Sequence, residues 1–457
     1  MPDHASLASP SELARARALV QRFGWNATAF QTLEPGFSYF FAADDGCVAY
    51  ADTGAAWVAA GAPIAAPERL SDVASAFMKA AAAQGKRCCF FATEERFRVL
   101  PSAPLEHMAL GEQPVWDPQL WPTILGSRKS LREQLRRARA KGLRVRLLAA
   151  SELTAEATQQ AFSRVTARWY LTRPMAPMHF LVQVAPFTWP DDRRCFVAEL
   201  DGRLVGYASV IPVPARPGWF LENLVRDPRA PNGTAESLVD AVMCWAAEQD
   251  AHWLTLGLAP LAGEVGDALR LVQRATRFLY DFDGIRAFKT KLRPHTWCPI
   301  YLAYPREQGV LRSLLDVLAA FAGSGFVRFG IQTLARGSPA VLRVMTALLA
   351  PWTLILALAP VWPWFGSPLV KWGWVAFDVL VFVLLCRLIV QPTAALFRGL
   401  QLAITGDALL SILQAAVWNM RQPYAWLDLG VFVLACAAPA FAAWVLQAAY
   451  LTHLRTR

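Results

Sequence analysis

The sequence has few of the short patterns that mark metal or coenzyme sites. Its eight cysteines show no zinc-type spacing and are scattered through apparent strands and helices, so we expect buried, reduced thiols and no metal site. Within residues 1–305, no loop before a helix carries a coenzyme A motif of the form Q/R-x-x-G-x-G/A, since its single match, at 203–208, falls in a predicted hairpin strand; no phosphate-cradling glycine loop occurs in the first 120 residues. We therefore expect no cofactor, and these absences weaken the case for an ordinary acetyltransferase.

The N-terminus lacks a long apolar run after a basic start, so we expect no signal peptide and a main domain in the cytosol. An apolar content of 55% excludes a disordered chain, and 457 residues leave room for two or three domains. Although the net charge is +10, residues 1–337 hold 38 Lys and Arg against 32 Asp and Glu. This part is only mildly basic, so a polyanionic partner would have to meet a local patch.

The last 120 residues contain the long apolar runs that the rest of the chain lacks. Val344–Val370 is free of charge for 27 residues and Leu429–Leu454 for 26, and each exceeds the ~20 residues needed to cross a bilayer. Trp372–Val390 and Leu400–Trp418 are weaker candidates. Four spans return the C-terminal arginines to the cytosolic side, whereas three do not, so the positive-inside tendency favours four. We expect a multi-pass protein of the inner (cytoplasmic) membrane.

The middle of the chain has the pattern of a strand, a loop, a helix and a second strand. Trp219–Val225 is typical of a buried strand, residues 226–233 of a tight loop, and the helix begins at Thr234 or Glu236. Trp253–Leu258 follows as a short strand. Backbone N–H groups at such a helix start can face an anion or a developing oxyanion. An ordinary turn followed by a helix cap is the alternative interpretation.

A basic helix is predicted over residues 126–146, which hold nine basic residues and one acid, Glu133. Its apolar stripe consists of Leu131, Leu135 and Ala138. Its basic face consists of Arg128, Arg132, Arg136 and Arg139. Because opposite charges are nearly absent, this face favours phosphate groups, either of a tRNA or of lipid headgroups. A solvated charged helix is the alternative.

Several motifs in a fixed order carry a family resemblance. They are Arg-Asp-Pro at 226–228, Ala-Pro-Asn-Gly-Thr at 230–234, Gly-Leu-Ala-Pro-Leu at 257–261, Gly-Ile-Arg-Ala-Phe-Lys-Thr-Lys at 284–291 and Tyr-Leu-Ala-Tyr-Pro at 301–305. With these motifs, about residues 20–305 resemble the C-terminal catalytic domain of the phosphatidylglycerol lysyltransferase family of the multiple peptide resistance factor type. The resemblance implies an α/β fold of tandem GNAT-like (acetyltransferase-like) domains.

The resemblance also implies a function. It implies a membrane-anchored transferase that moves an aminoacyl group from aminoacyl-tRNA to a membrane phospholipid such as phosphatidylglycerol. We expect a first GNAT-like domain over residues 1–125, followed over 126–305 by the basic connector helix and the catalytic GNAT-like domain. An amphipathic interfacial segment over 306–340 and about four transmembrane helices over 341–457 complete the chain.

The candidate catalytic residues follow from the chemistry of acyl transfer. Lys289 and Lys291 are the cations that we expect to stabilise an oxyanion, and they share a face if the segment is extended. Glu222 is expected to bind a substrate ammonium group or to act as a base. The alternatives are surface lysines on an edge strand and a buried structural carboxylate. The substrate-binding candidates are Arg226, Asn232, Gly233, Thr234 and Arg286.

Three positions depart from the family pattern. Ala62 stands where the family usually has the aspartate of Gly-Asp-Pro, Glu222 stands in place of an aspartate, and Val225 stands in place of an arginine. The membrane helices follow the catalytic domain here, whereas in the family they precede it. These departures leave two alternatives open: a GNAT-like acyltransferase with a non-tRNA donor, and a non-catalytic membrane scaffold with a degenerate transferase domain.

Overall fold

The computed structural model describes residues 8–99, 105–173, 175–261, 263, 282–323, 325–334, 339–361, 364–421 and 426–456. The chain divides into two compact units. An α/β unit comprises residues 1–170 and 177–326, and a helical unit comprises residues 171–176 and 327–457. All eight cysteines are free thiols, as predicted, but the predicted burial holds only for four of them (47, 88, 89 and 195), and Cys244 is exposed.

The α/β unit contains one 13-stranded mixed sheet. Its strands are β1 Ser38–Ala42, β2 Gly46–Asp52, β3 Ala56–Ala60, β4 Ile64–Ala65, β5 Arg87–Glu94, β6 Leu105–Trp116, β7 Arg144–Leu147, β8 Arg194–Leu200, β9 Arg203–Val213, β10 Gly218–Arg226, β11 Leu254–Thr255, β12 Ala259–Pro260 and β13 Thr296–Pro305. The main order is β1-β2-β3-β5-β13-β6-β11-β10-β9-β8-β7, while β4 pairs with β2 and β12 pairs with β6. The β3–β5 and β10–β11 pairs are parallel.

Strand β13 is the last strand in sequence but lies in the middle of the sheet. It is antiparallel to β5 on one side and to β6 on the other, and Ile300 opposes both Glu94 and Gly111. Strand β6 in turn pairs with β11, so the two predicted GNAT-like halves share one continuous sheet. The predicted domain boundary at residues 125–126 stays a prediction.

Helices of the α/β unit cover the sheet. They are α1 Pro10–Phe23, α2 Leu70–Ala83, α3 Glu95–Arg98, α4 Trp121–Ser127, α5 Lys129–Ala140, α6 Ala150–Leu153, α7 Glu156–Leu171, α8 Thr234–Glu248, α9 Phe282–Lys291 and α10 Val310–Ala322. Short 3-10 turns cover Phe30–Leu33, Pro67–Arg69, Pro118–Leu120, Phe180–Val182 and Arg306–Gln308. The predicted strand at 219–225 and the predicted helix start at Thr234 are confirmed by β10 and α8.

The predicted apolar stripe of the basic helix is also confirmed. Leu131, Leu135 and Ala138 of α5 are buried in one core cluster with Leu238 and Val242 of α8. Burying a leucine side chain contributes about 1.5–3 kcal/mol, so this stripe holds α5 against the sheet-covering helix while its basic residues face outward. The burial explains why such a charged helix forms part of a folded unit.

A buried arginine joins three segments that are distant in sequence. The Arg193 side chain has no exposed surface, and its Nη2 lies 2.6 Å from Oε1 of Glu34. The same guanidinium contacts the carboxylate of Glu222 on β10, which also accepts a hydrogen bond of 3.0 Å from Nε2 of Gln31. A buried charge is tolerated only when it is paired and hydrogen-bonded, so this cluster ties residues 31–34 to the edge of β8 and to β10.

Helix α10 packs on the sheet through one face only. Ser313, Asp316, Val317 and Ala320 are buried, and Asp316 pairs with Arg87 of β5 at 2.6 Å. On the opposite face, Leu311, Leu315 and Leu318 are exposed. Their i, i+4, i+7 spacing forms a continuous apolar stripe on the surface, which we call the leucine stripe.

The helical unit contains the predicted membrane spans. Its helices are α11 Phe326–Leu334, α12 Pro339–Leu358, α13 Pro368–Val390, α14 Ala394–Val417 and α15 Trp426–Thr456, with a 3-10 turn at Asn419–Arg421. Four of them, α12 to α15, are long and apolar enough to cross a membrane, which agrees with the expected number. The bent pair of α10 and α11 would raise the number to five if counted as one span, but the buried ion pair of Asp316 ties α10 to the sheet.

Within the described residues, the two acidic side chains in the middle of the spans, Asp378 and Asp407, form no ion pair with Arg387 or Arg398. Arg398 donates from Nε to the Tyr450 hydroxyl at 2.6 Å. Asp407 accepts a hydrogen bond of 3.2 Å from Ser411, and the Oδ2 atom of Asp378 has no hydrogen-bond partner in the described part of the chain.

We predict that Arg193→Met destabilises the protein by about 3–5 kcal/mol, because it leaves two buried carboxylates without their cation. The midpoint of thermal unfolding in detergent, followed by tryptophan fluorescence, measures this. Arg15→Met is the matched control, since Arg15 pairs on the surface with the fully exposed Asp44. Equal midpoints for the two variants would contradict the prediction.

Candidate active site

The loop between β10 and α8 is held by a buried carboxylate. Asp227 accepts a hydrogen bond from the Arg229 backbone N–H at 2.9 Å and pairs with Arg168 of α7 at 2.6 Å. Its own N–H donates to the Val205 carbonyl on β9. Arg226, just before it, is exposed, as is Asn232 farther along the loop. The loop therefore has a fixed inner side and an outer side that is open to a ligand.

Gly233 allows the basic helix to approach the start of α8. It adopts a left-handed conformation with φ of 100°. A Cβ atom at this position would lie 3.0 Å from the Gln134 carbonyl oxygen and 3.1 Å from the Ala138 Cβ, both on α5. A residue with a side chain is thus disfavoured by its backbone conformation and by the neighbouring helix. Glycine brings α5 and α8 together at this point.

The first turn of α8 has no side-chain cap. The Thr234 hydroxyl donates to the Pro231 carbonyl at 2.7 Å, so this side chain stabilises the loop instead of capping the helix. Backbone N–H groups at a helix start carry partial positive charge, which favours an anion nearby. Glu236 in the same turn pairs with Lys291 at 2.8 Å. Lys291 also donates to the Gln134 side chain, so it bridges α8 and α5.

The basic face of α5 is exposed but partly neutralised. Arg136 pairs with Glu133 at 3.0 Å, and Arg139 pairs at 2.9 Å with Asp240 of α8. Arg132 donates from Nη1 to the Leu125 carbonyl at 2.6 Å, and Arg128 is half-buried at the helix start. The expectation that opposite charges are nearly absent is therefore wrong for the folded protein, because Asp240 comes from a distant segment. Exposed cations without an ion pair among the described residues remain on and beyond α5 at Arg132, Arg137, Lys141 and Arg144.

Lys289 is buried, and its surroundings differ from those of Lys291. Its Nζ donates to the carbonyl oxygens of Gly257 at 2.7 Å and Leu258 at 3.0 Å. Burial lowers the pKa of Lys289 to about 7, because the charged form is disfavoured away from water. Such an amine changes its charge near neutral pH, which is typical of groups that take part in catalysis.

Lys289 and Lys291 would share a face only if their segment were extended, and the structure does not meet this condition. The segment is the last turn of helix α9, so the two lysines point in different directions. Lys289 turns to the end of β11 and Lys291 to α5 and α8. The alternative of two surface lysines on an edge strand is excluded by the same observation. Arg286, one turn earlier, pairs with Glu112 at 3.1 Å and lies over the Trp297 ring.

Glu222 lies in the buried arginine cluster and not beside the lysines. It contacts Arg193, accepts from Gln31 at 3.0 Å and accepts from the Asn223 side chain at 3.0 Å. This favours the alternative of a structural carboxylate, although its predicted role stays a prediction. The neighbouring Glu34 has an Oε2 atom without a hydrogen-bond partner, and burial raises its pKa despite the opposing effect of Arg193. The cluster thus has two carboxylates for one arginine.

The structure brings only part of the predicted site together. Gly233, Thr234, Lys291 and the basic face of α5 form one region, which we call the α5–α8 surface. Lys289 and Glu222 have other neighbours. Residues that the sequence did not single out complete these surroundings: Gln31, Glu34, Gln134, Arg193, Glu236 and Asp240. Their contacts join distant segments, so periodicity carries no signal for them.

Comparison with known proteins adds independent information. Residues 17–304 match the family model described as phosphatidylglycerol lysyltransferase, C-terminal. Phosphatidylglycerol lysyltransferase of Bacillus subtilis (strain 168) is 31% identical over 125 residues, which are 25% of this chain and 14% of that protein. The lysylphosphatidylglycerol biosynthesis bifunctional protein LysX of Nocardia farcinica (strain IFM 10152) is 27% identical over 323 residues, 65% of this chain and 28% of that protein.

Among solved structures, L-PGS from Bacillus licheniformis has a TM-score of 0.58 and 21% identity, covering 70% of this chain and 99% of that chain. This similarity confirms the α/β fold that the family resemblance implies. The chain spans less than a third of the length of the two curated relatives, 14% and 28% respectively.

We predict that Gly233→Ala destabilises the protein more than Gly202→Ala does. Both glycines have positive φ, but a Cβ at Gly202 meets no atom within 4 Å. The Gly202→Ala variant therefore measures only the cost of the left-handed backbone conformation for alanine, about 1–2 kcal/mol. The contact with α5 should add about 1–3 kcal/mol. Thermal unfolding in detergent measures the stability of both variants. Equal losses of stability would contradict the prediction, because they would show that α5 moves away from the added methyl group without cost.

Proposed function

Because the chain belongs to the phosphatidylglycerol lysyltransferase C-terminal family, we propose that it is a membrane-anchored transferase that adds an aminoacyl group to a membrane phospholipid such as phosphatidylglycerol. The family match carries this proposal, since it extends from α1 into β13 and so covers nearly the whole sheet. Four helices long and apolar enough to cross a membrane support it further, because they would hold the enzyme in the bilayer that contains its acceptor and its product.

The proposed donor is aminoacyl-tRNA. A lipid hydroxyl attacks the carbonyl carbon of the aminoacyl ester, and a new ester bond to the lipid forms. The bond to the ribose oxygen of the tRNA breaks, and the hydroxyl proton ends on that oxygen. One ester replaces another, so the reaction needs no cofactor. It does need stabilisation of the tetrahedral oxyanion that forms between the two steps.

The α5–α8 surface supports a phosphate-rich donor. The uncapped start of α8 carries partial positive charge, and exposed cations of α5 lie beside it. Asp240 and Glu133 neutralise two arginines of this surface, so the remaining exposed cations are the ones proposed to meet tRNA phosphates. Asn232 and Arg226 lie on the open side of the adjacent loop and are proposed to contact the substrate.

Lys289 is proposed to stabilise the oxyanion. An ammonium group has three N–H donors, and two of those on Lys289 are used by the carbonyls of Gly257 and Leu258. The third remains for a substrate oxygen. The low-dielectric surroundings that lower its pKa also strengthen its interaction with a developing negative charge.

The leucine stripe of α10 supports a position of the α/β unit against the bilayer. Leu311, Leu315 and Leu318 are exposed on a helix whose other face is fixed to the sheet. Amphipathic helices bind at a membrane interface through an exposed apolar stripe of this kind. We propose that residues 306–340 rest on the cytosolic leaflet of the inner membrane, where aminoacyl-tRNA is available.

Lipid mass spectrometry tests the proposed reaction. The full chain, reconstituted in phosphatidylglycerol vesicles, is incubated with a mixture of aminoacyl-tRNAs, and the lipids are searched for phosphatidylglycerol carrying one aminoacyl group. Product that depends on both charged tRNA and protein supports the proposal. Product from acyl donors other than tRNA would favour the alternative acyltransferase, and no product from any donor would favour the scaffold.

In the same assay we predict that Lys289→Met lowers the rate of product formation by about 100- to 1,000-fold, the usual cost of losing one oxyanion donor. The wild-type rate should fall as the pH rises through about 7, because Lys289 loses its charge there. Spontaneous ester hydrolysis is subtracted at each pH. Lys86→Met, which removes a surface ion pair with Asp52, is the control. A wild-type rate for Lys289→Met would place the oxyanion donor elsewhere.

We predict that replacing Arg132, Arg137 and Lys141 together by Gln weakens tRNA binding in a salt-dependent manner. Each lost phosphate contact lowers the slope of log affinity against log salt by about 0.7–0.9. The control variant replaces Arg15, Arg98 and Arg306, which are ion-paired on the surface of the same unit, and changes the net charge equally. Equal slopes for the two triple variants would exclude this surface as the tRNA contact.

A further inference from the structure

Two guanidinium groups lie over one tryptophan at a place that the proposed reaction does not use. The Cζ atoms of Arg96 and Arg216 are 4.7 Å and 4.2 Å from the centre of the Trp25 ring. Arg216 also lies 4.6 Å from the centre of the Trp253 ring. Arg96 belongs to the short helix α3, and Trp25 follows α1. The arrangement concentrates two positive charges beside apolar rings.

The charges of this cluster do not balance. Arg216 pairs with the buried carboxylate of Glu94, which also accepts a hydrogen bond from the Ala27 backbone. In the part of the chain that the structure describes, no carboxylate lies within ion-pair distance of Arg96. Burial, together with the positive charge of Arg216, lowers the pKa of Arg96. The two arginines therefore have one ion pair between them, that of Arg216 with Glu94, while Glu68 acts on Arg96 only from beyond ion-pair distance.

The hydrogen-bond donors of the cluster are also unsatisfied. The Nε of Arg96, the Nε of Arg216 and the Nε1 of Trp25 are buried and have no hydrogen-bond partner within the described residues. All three are N–H donors, so what the cluster lacks is an acceptor. Leaving a buried donor without a partner is unfavourable, and natural proteins usually avoid it.

A shallow cavity that opens to solvent lies beside this cluster. Its lining includes Trp25, Asn26, Ala62, Pro63, Arg96 and Phe97. Ala62 is the position at which the family resemblance leads one to expect an aspartate. A methyl group stands there and accepts no hydrogen bond, so the chain itself supplies no anion to the cavity at this point.

We propose that this cavity binds a small oxyanion, a carboxylate or phosphate group, in the position that a side-chain carboxylate at residue 62 would occupy. The planar guanidinium of Arg96 presents N–H donors in the geometry that matches two oxygens of such a group. The ligand balances the charge of Arg96, which the described part of the chain leaves without an ion pair, whereas Arg216 pairs with Glu94.

The test uses the full chain in a neutral detergent and follows thermal unfolding. Sodium phosphate or sodium acetate is added against chloride at constant ionic strength, and a ligand of the folded state raises the midpoint with its concentration. The wild type should respond to at least one of the two anions, and calorimetric titration should give the dissociation constant. A wild type that responds to neither free anion, nor to phosphatidylglycerol added in place of phosphatidylcholine, overturns the proposal.

Three variants locate the response. Ala62→Asp supplies an internal carboxylate, so it should unfold at a higher temperature than the wild type without added anion, and its anion affinity should fall at least tenfold. Arg96→Gln should lose the response as well. Arg98→Gln, on the same short helix but exposed and paired with Glu95, should keep it. An unchanged response in both Ala62→Asp and Arg96→Gln would show that the anion binds elsewhere.

The lipid arm of the experiment distinguishes the two sources of the oxyanion. A response to free phosphate or acetate identifies a soluble ligand. A response confined to phosphatidylglycerol, and lost in Ala62→Asp, identifies the phosphodiester of a lipid headgroup as the occupant of the same cavity.

Discussion

The ion cluster around Arg193 is the constraint on which the α/β unit depends. Arg193 is fully buried, and its two carboxylate partners come from different segments, Glu34 being 159 residues away in sequence and Glu222 29 residues away. A charge in such a position is tolerated only if both partners arrive with it, so the cluster is either formed completely or strongly unfavourable. It therefore fixes the 3-10 turn after α1 against the start of β8 and the middle of β10. Strand β10 ends at Arg226, four residues after Glu222, so this cluster fixes the strand from which the loop to α8 leaves.

The same logic of charge balance distinguishes the surfaces of the protein. On α5, the arginines that the sequence presents as an uncompensated run are partly neutralised by Glu133 and by Asp240. At Trp25, by contrast, two arginines have one ion pair between them, and N–H donors are left without partners in the described part of the chain. Counting charges along the sequence predicts the first region as the stronger anion site. The ion pairs of the folded protein favour the region at Trp25 for a small anion. The broad exposed face of α5 still suits a polyanion.

Local patterns predicted the elements whose signals are local. The strand at β10, the start of α8, the apolar stripe of α5 and the membrane helices all follow from periodicity or apolar length, and the structure contains them. The family motifs correctly indicated the fold as well. A shared face for Lys289 and Lys291 depended on an extended segment, and the segment is a helix. The surroundings of Glu222 and the burial of Lys289 depend on partners that are far apart in sequence, and no periodicity encodes them.

The central position of β13 has a consequence for the order of events during synthesis. This strand is made last, yet it separates β5 from β6, and the Tyr301 hydroxyl donates to Glu95 across 206 residues of chain. Contacts of such long sequence separation make folding slow and leave strand edges exposed until they form. The nascent sheet therefore remains open, with the edges of β5 and β6 unpaired, until residue 305 has been made. The first membrane helix begins at residue 339, so the ribosome reaches it soon afterwards. The sheet thus closes at about the same time as the chain enters the bilayer. If pairing of β13 is delayed, an incomplete sheet is exposed at the membrane surface.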